Sequence, residues 1–208
     1  MTTPQHNLAV IKVVGIGGGG TNAIKRMIGE GMTGVDFIAL NTDEQDLLDC
    51  DAPTKLDIGQ STTRGLGAGA DPAVGERAAR DNSQDIEDVL TGADMVFVTA
   101  GEGGGTGTGG APIVASIARD LGALTVAVVT KPFSFEGKRR AENAANGIEK
   151  LRDACDTLIT IPNDRLLQQE DKTISINDAF SKADEVLFNG VQGITDLIST
   201  PGLINVDF

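Results

Sequence analysis

Seven consecutive residues, Gly103-Gly104-Gly105-Thr106-Gly107-Thr108-Gly109, combine five glycines with two hydroxyls. Residues 95–100 before them form an apolar run that reads as a buried strand, and residues 113–121 after them have the apolar period of a helix. A glycine loop at that junction presents backbone N–H groups with no side chains in the way. The positive end of the helix dipole adds to their attraction for an anion. The chemistry indicated is phosphate binding, with Thr106 and Thr108 as additional hydroxyl donors. A flexible linker would not sit between a buried strand and an amphipathic helix.

Two further glycine clusters have the same setting. Gly15-x-Gly17-x-x-Gly20 follows a first apolar strand at residues 8–15 and opens a helix at residues 21–31. Taken alone it is the dinucleotide fingerprint, with Asp36 or Asp43 available as the ribose acid. The loop at residues 59–71 is centred on Gly65-Leu66-Gly67-Ala68-Gly69. A dinucleotide needs one pyrophosphate cradle. Here there are three candidate loops: Gly17, Gly18, Gly19, Gly20, Thr21 and Asn22; then Ala68, Gly69 and Ala70; then Gly103 to Gly109. Three loops closing on one triphosphate fit better. The P-loop pattern G-x-x-x-x-G-K-[ST] is absent, so no lysine of that kind is placed on the phosphates.

The chain's one histidine, His6, lies in a polar stretch at residues 1–7 that is expected to be a disordered tail, which argues against hydrolysis on a histidine base. A net charge of −13 argues against nucleic acid and against an anionic membrane surface as direct partners. Cys50 and Cys155 have no C-x-x-C spacing, and no apolar run approaches the ~18 residues of a membrane-spanning helix. Trp and Tyr are absent, so any base stacking must use Phe.

The elements that must position these loops alternate. Strands are expected at 8–15, 35–40, 54–58, 94–100, 124–130 and 157–161. Helices are expected at 21–31, from Pro72 to about 90, at 113–121, at 137–154 and at 176–198. The helix at 137–154 should turn Ala141, Ala144, Ile148 and Leu151 inward. The last helix carries Ile176, Phe180, Ala183, Leu187, Val191, Ile194 and Leu197 at three-to-four spacing. This pattern predicts an α/β protein with a parallel, Rossmann-like sheet, helices on both faces, and ligands at the carboxyl ends of the strands.

The GGGTGTG run, with the motifs around it, resembles the tubulin-related FtsZ family of bacterial cell-division GTPases. The resemblance implies the GTPase-domain fold of that family over residues 8–175, with 176–198 as a long core helix. It implies GTP/GDP and Mg²⁺ as ligands, although the sequence marks no metal site beyond Asp43 as a possible orienter of Mg²⁺-bound water. Asn22 and Asp184 fall where the family contacts guanine. A carboxylate there can accept from N1–H and the 2-amino group, donors that adenine lacks. On spacing alone Asp184 would be a solvated helix face, and Phe180, one turn earlier, is either core or a stacking surface for the base. Glu136 and Arg140 match ribose and phosphate contacts, and Asn163 is a further candidate at the same mouth. Residues 199–208 resemble the start of the family's catalytic loop, with Asn205 and Asp207 matching its first positions and its last acid missing. The family inserts that loop into the next subunit's nucleotide site. The resemblance therefore implies a head-to-tail homopolymer in the cytoplasm at mid-cell, with further division partners binding through a tail absent here. The portion at hand, lacking a second domain, is expected to bind GTP and hydrolyse it poorly alone. Two alternatives stand beside this: a nicotinamide-dependent dehydrogenase, and a nucleotide-binding structural protein that assembles without hydrolysis.

Overall fold

The computed structural model describes residues 9–168 and 173–199. Six parallel strands form one sheet in the order β3-β2-β1-β4-β5-β6. They are β1 (Ile11–Ile16), β2 (Asp36–Asn41), β3 (Thr54–Asp57), β4 (Met95–Gly101), β5 (Leu124–Lys131) and β6 (Thr157–Pro162). The central strands are apolar at nearly every position because both faces are covered. Ile11 and Val13 of β1, Met95 and Phe97 of β4, and Val126 and Val128 of β5 point into one core. Val14 and Ile16, Val96 and Val98, and Ala127 and Val129 point into the other.

The first core is closed by α1 (Gly17–Gly29), through Ala23, Ile24 and Met27, and by α8 (Ile176–Ser199), through Leu187 and Val191. The second is closed by α3 (Pro72–Asp81), α4 (Ser83–Leu90), α5 (Thr106–Asp120) and α6 (Lys138–Ala154). Two helices of five residues, α2 (Glu44–Leu48) and α7 (Asp164–Gln168), follow β2 and β6.

Several expectations are corrected. Helices α1 and α5 begin at Gly17 and Thr106, so part of each glycine run is the helix's first turns rather than a loop before it. The helix starting at Pro72 is two helices. Asn82 ends the first, its amide donating to the carbonyls of Ala78 at 2.8 Å and Ile58 at 3.1 Å. Ala141 is exposed, while Ala144, Ile148 and Leu151 are buried as expected. On α8 the ends of the apolar stripe, Ile176 and Leu197, are exposed, and the buried seam runs through Ala179, Ala183, Leu187, Val191 and Thr195.

Candidate functional site

A cleft of about 410 Å³ opens at the carboxyl ends of β1 and β4, where the strand order reverses. Two helix N-termini face it. Neither the residue before α1, Ile16, nor the residue before α5, Gly105, caps its helix with a side chain. The first amides of each helix therefore have no intrahelical partner and no capping oxygen. The two helix starts touch. Gly17 has φ +77°, and a Cβ on it would lie 2.9 Å from the Gly107 nitrogen. Only backbone without side chains fits there, and the unpaired N–H groups it brings together suit an anion.

The glycines divide into two sets. A Cβ on Gly18 or Gly104 would meet no protein atom nearer than Asp46 Oδ2 or Arg140 Nη1, each at 3.6 Å. These positions open into the cleft. A Cβ on Gly105 would strike Ala68 Cβ at 2.7 Å, and one on Gly107 would approach the Ile16 carbonyl at 3.2 Å. Both residues line the cleft, as does Gly19, but their missing side chains serve the packing of its walls.

Gly20, Thr21, Gly103, Thr108 and Gly109, expected as direct contacts, do not line the cleft; they build it. Gly20 lets α1 approach the Thr99 carbonyl, and Gly109 lets α5 approach the Pro72 carbonyl, where a Cβ would come within 2.6 and 1.9 Å. The Thr21 hydroxyl donates to the Gly18 carbonyl at 3.1 Å. Thr108 Oγ1 accepts from the Gly103 amide at 2.8 Å, so it folds the loop on itself instead of pointing at a ligand. Thr106 does line the cleft, its hydroxyl 2.6 Å from that of Thr42.

Ala68, Gly69 and Ala70 form a third wall. Ala70 holds φ +61°, a left-handed conformation that is strained for a residue with a Cβ. Asn143 of α6 fixes it in place: its amide donates to the carbonyls of Ala70 and Gly103, both at 3.2 Å, tying the third loop to the signature loop. Nothing in the sequence marked Asn143, because its partners lie 73 and 40 residues away.

The fourth wall comes from α6 and α8. Arg140 reaches the signature loop. Glu136 Oε2 accepts from the Phe133 amide at 2.7 Å. Asn163 is 4% exposed, and its Oδ1 has no hydrogen-bond partner among the described residues, so it is an available acceptor on the cleft wall. Phe180 is 39% exposed and lines the cleft, its ring edge-on to Phe133 and Phe135 at 5.6 and 5.9 Å. It is a surface ring held by two others, not core. Asn22 is exposed on α1, and Asp184 sits on the face of α8 that meets α1; neither is on the cleft wall itself. Burial pushes the Asp184 carboxyl up to about 6, with Arg26 and then Lys25 partly offsetting the cost. Asn205 and Asp207 lie outside the described residues.

Three more acids line the cleft and differ in their surroundings. Asp43 caps α2, accepting from the amides of Gln45 at 2.9 Å and Asp46 at 3.2 Å. Asp46 was not expected at the site. Burial and the neighbouring Asp43 hold its carboxyl above the usual range. Glu102, also unmarked by spacing, is buried beside the signature loop, and no described residue makes a hydrogen bond of ordinary geometry to either oxygen.

Taken together, the doubly wound sheet and the paired, uncapped helix starts define a phosphate-cradle α/β protein. Its strand order is shared with dinucleotide-binding folds, so topology does not separate those classes. The particular family does. Residues 10–171 match the model of the Tubulin/FtsZ family, GTPase domain, and the chain belongs to that family. An FtsZ dimer from M. jannaschii is 50% identical, with a TM-score of 0.93, over 98% of this chain and 59% of that one. The GDP-bound CetZ1 monomer from Haloferax volcanii is 25% identical, with a TM-score of 0.77, over 86% of this chain and 58% of that one. CetZ2 from the same organism, a GTPγS-bound protofilament, shares the fold at 23% identity and a TM-score of 0.80, over 95% of this chain and 60% of that one. The chain thus spans about three-fifths of the length of these relatives.

Proposed function

We propose that this chain is the nucleotide-binding portion of a GTPase that polymerises head to tail in the manner of FtsZ. The observation that carries the reading is the meeting of the α1 and α5 N-termini, uncapped, around glycine backbone at the cleft. That arrangement supplies backbone N–H groups for phosphate oxygens, and the Arg140 guanidinium adds a charged donor beside Gly104. Phe180 offers its ring to the base, and the free Asn163 Oδ1 offers an acceptor to a hydroxyl or amine of the ligand. Asn22 and Asp184 flank the α1–α8 seam, and the Asp184 carboxylate selects guanine by accepting from donors that adenine lacks.

Mg²⁺ fits this site as a passenger of the nucleotide. Among the described residues no cluster of three metal-ligating side chains exists. Asp43 and Asp46 place two carboxylates on the cleft wall and would be the side chains that hold Mg²⁺ there, through water. The cation would neutralise charge developing on the transferred phosphoryl group.

Asn205 and Asp207 belong to the loop that, by the family pattern, serves the next subunit's site. Hydrolysis is then completed between copies, and the polymer is one of cell division, acting in the cytoplasm at mid-cell with further division proteins as partners. The relatives named above come from archaea, so the reading extends to a division polymer in general and is not restricted to bacteria. Competition against a fluorescent GTP analogue tests the site: GTP and GDP should displace it, whereas ATP and NADH should not. Displacement by ATP or NADH at similar concentrations would refute the guanine assignment. Phosphate release that rises with assembly would separate a GTPase from a polymer that merely binds nucleotide.

A further inference from the structure

The signature loop begins with a residue that phosphate binding does not account for. Glu102 is only 4% exposed, and no described residue makes a hydrogen bond of ordinary geometry to either carboxyl oxygen, the Thr108 hydroxyl being the one polar neighbour that favours its charged form. Its backbone is pinned to the sheet, with the amide donating to the Thr130 carbonyl at 2.9 Å. Its side chain lies behind the loop against α5 and α6. A Cβ on Gly147 would come within 2.7 Å of Glu102 Oε2, so α6 carries glycine where it crosses the carboxyl. The residue also forms part of the cleft wall. The chain therefore stores an acid in the same cleft wall as the glycine backbone of the signature loop.

A buried charge without partners is among the costliest groups a fold can contain, and it escapes the cost by becoming neutral. Among the described residues no counter-charge is in contact with it. From α6, Arg140 passes its backbone by Gly103 and turns its guanidinium toward Gly104, while Lys150 lines a separate pocket beyond Thr108 and Gly147. Glu76 of α3 lines that same pocket, and β5 contributes Thr130 and the exposed Lys131. The Thr108 hydroxyl accepts from Gly103 and keeps its own proton to turn toward Glu102, the one polar neighbour that favours the charged carboxyl.

We propose that Glu102 links nucleotide binding to proton uptake: the phosphate loop accepts its anionic ligand with the Glu102 carboxyl protonated, and an ionised Glu102 behind the loop opposes binding. The proposal rests on the nucleotide reading given above and assigns that site a regulation of its own. Burial pushes the carboxyl up to about 8, opposed only by Thr108, so the group titrates in an accessible range. Phosphate oxygens held on the neighbouring amides add negative charge close by and push it further up, as like charges do. The sign follows from linkage. Below about 7 the acid is neutral with or without ligand, and affinity does not depend on it. Above 8 the free protein loses the proton, must regain it on binding, and affinity falls.

Calorimetric titration with GDP, which is not hydrolysed, tests this on the nucleotide-free chain. At pH 8, comparing buffers of different ionisation enthalpy, binding should take up about half a proton per GDP, and affinity should fall about fourfold from pH 7 to pH 8.5. Asp184, at about 6, is already ionised across that window and adds little. Glu102→Gln should abolish the uptake and flatten the profile, and Glu102→Met provides a second variant if the first folds poorly. GDP binding with no proton uptake and a flat profile in the parent overturns the proposal and leaves the nucleotide site intact. Uptake that persists in both variants also overturns it. A folded parent that binds no GDP at pH 7 overturns the nucleotide reading and this proposal with it.

Discussion

Replacing Asp184 with Asn should move stability and affinity in opposite directions. The carboxyl is raised from 3.8 to about 6, chiefly because burial penalises its charge. Two pKa units correspond to about 3 kcal/mol of cost to the folded state when the group is ionised. The side chain retains some contact with solvent, which screens the charge, so about 2 kcal/mol is the figure to expect at neutral pH. An acid raised on folding contributes stability that is fully present below its unfolded value and is lost as pH rises through the folded value. The parent is therefore handicapped most above about pH 7. Asp184→Asn keeps the shape and removes the charge, so the ligand-free variant should melt about 4–8 °C higher at pH 7.5. Near pH 5 the gap should shrink to about half. GTP affinity should move the other way. Losing a charge-assisted pair of bonds to guanine costs about 1.5–3 kcal/mol, a loss of about ten- to a hundredfold. Thermal melts of ligand-free protein across pH, with GTP titrations on the same samples, check both halves. A variant that melts lower and binds GTP as tightly as the parent would show that Asp184 is a structural acid and that its buried charge has no ligand to serve.

The glycines make a paired test. Gly104→Val should abolish nucleotide binding and leave the melting temperature within a few degrees, because its side chain would enter open cleft. Gly109→Val should lower stability severely, because its Cβ would lie 1.9 Å from the Pro72 carbonyl; melts and circular dichroism of the two variants, read beside GTP binding, check the contrast. Ala70→Gly should relieve the left-handed strain at φ +61° and raise ligand-free stability by about 1 kcal/mol, measured by denaturant midpoint at constant m-value. If hydrolysis is completed between copies, this chain alone at low concentration should release phosphate very slowly. An intact FtsZ whose own guanine acid is disabled should restore the release when mixed in. Rapid turnover by the chain alone would place the catalytic acid within these residues and refute the arrangement between copies.

The sheet was legible because its strands are continuous apolar runs punctuated by glycine or polar turns. The boundaries that failed share a cause. Helix α5 starts at Thr106, seven residues before its apolar period begins, through residues including Gly107, Gly109, Gly110 and Pro112. Intrinsic propensity argues against helix there. Close packing of Gly109 on Pro72 and of Gly110 on Ile16 accompanies the helix through that stretch. Helices α2 and α7, at five residues each, are too short to show a period.

The sequence by itself determined that a parallel α/β sheet would carry glycine-rich, side-chain-free backbone to one end, and it pointed to phosphate binding there without a P-loop lysine. Those conclusions need only local pattern: apolar runs, glycine spacing and the order of elements. Tertiary structure decided which glycines open into the cleft and which pack against another helix. It also decided that Asn143 would bridge two loops, that Phe180 would stand as a surface ring and that Thr108 would turn inward. It set the charge states too, since Glu102 and Asp184 look like ordinary acids in the sequence and are perturbed by burial among distant segments. Desolvation is a property of everything that surrounds a group: α1 meets α8 around Asp184, and α5 meets α6 beside Glu102, pairings that no local spacing encodes.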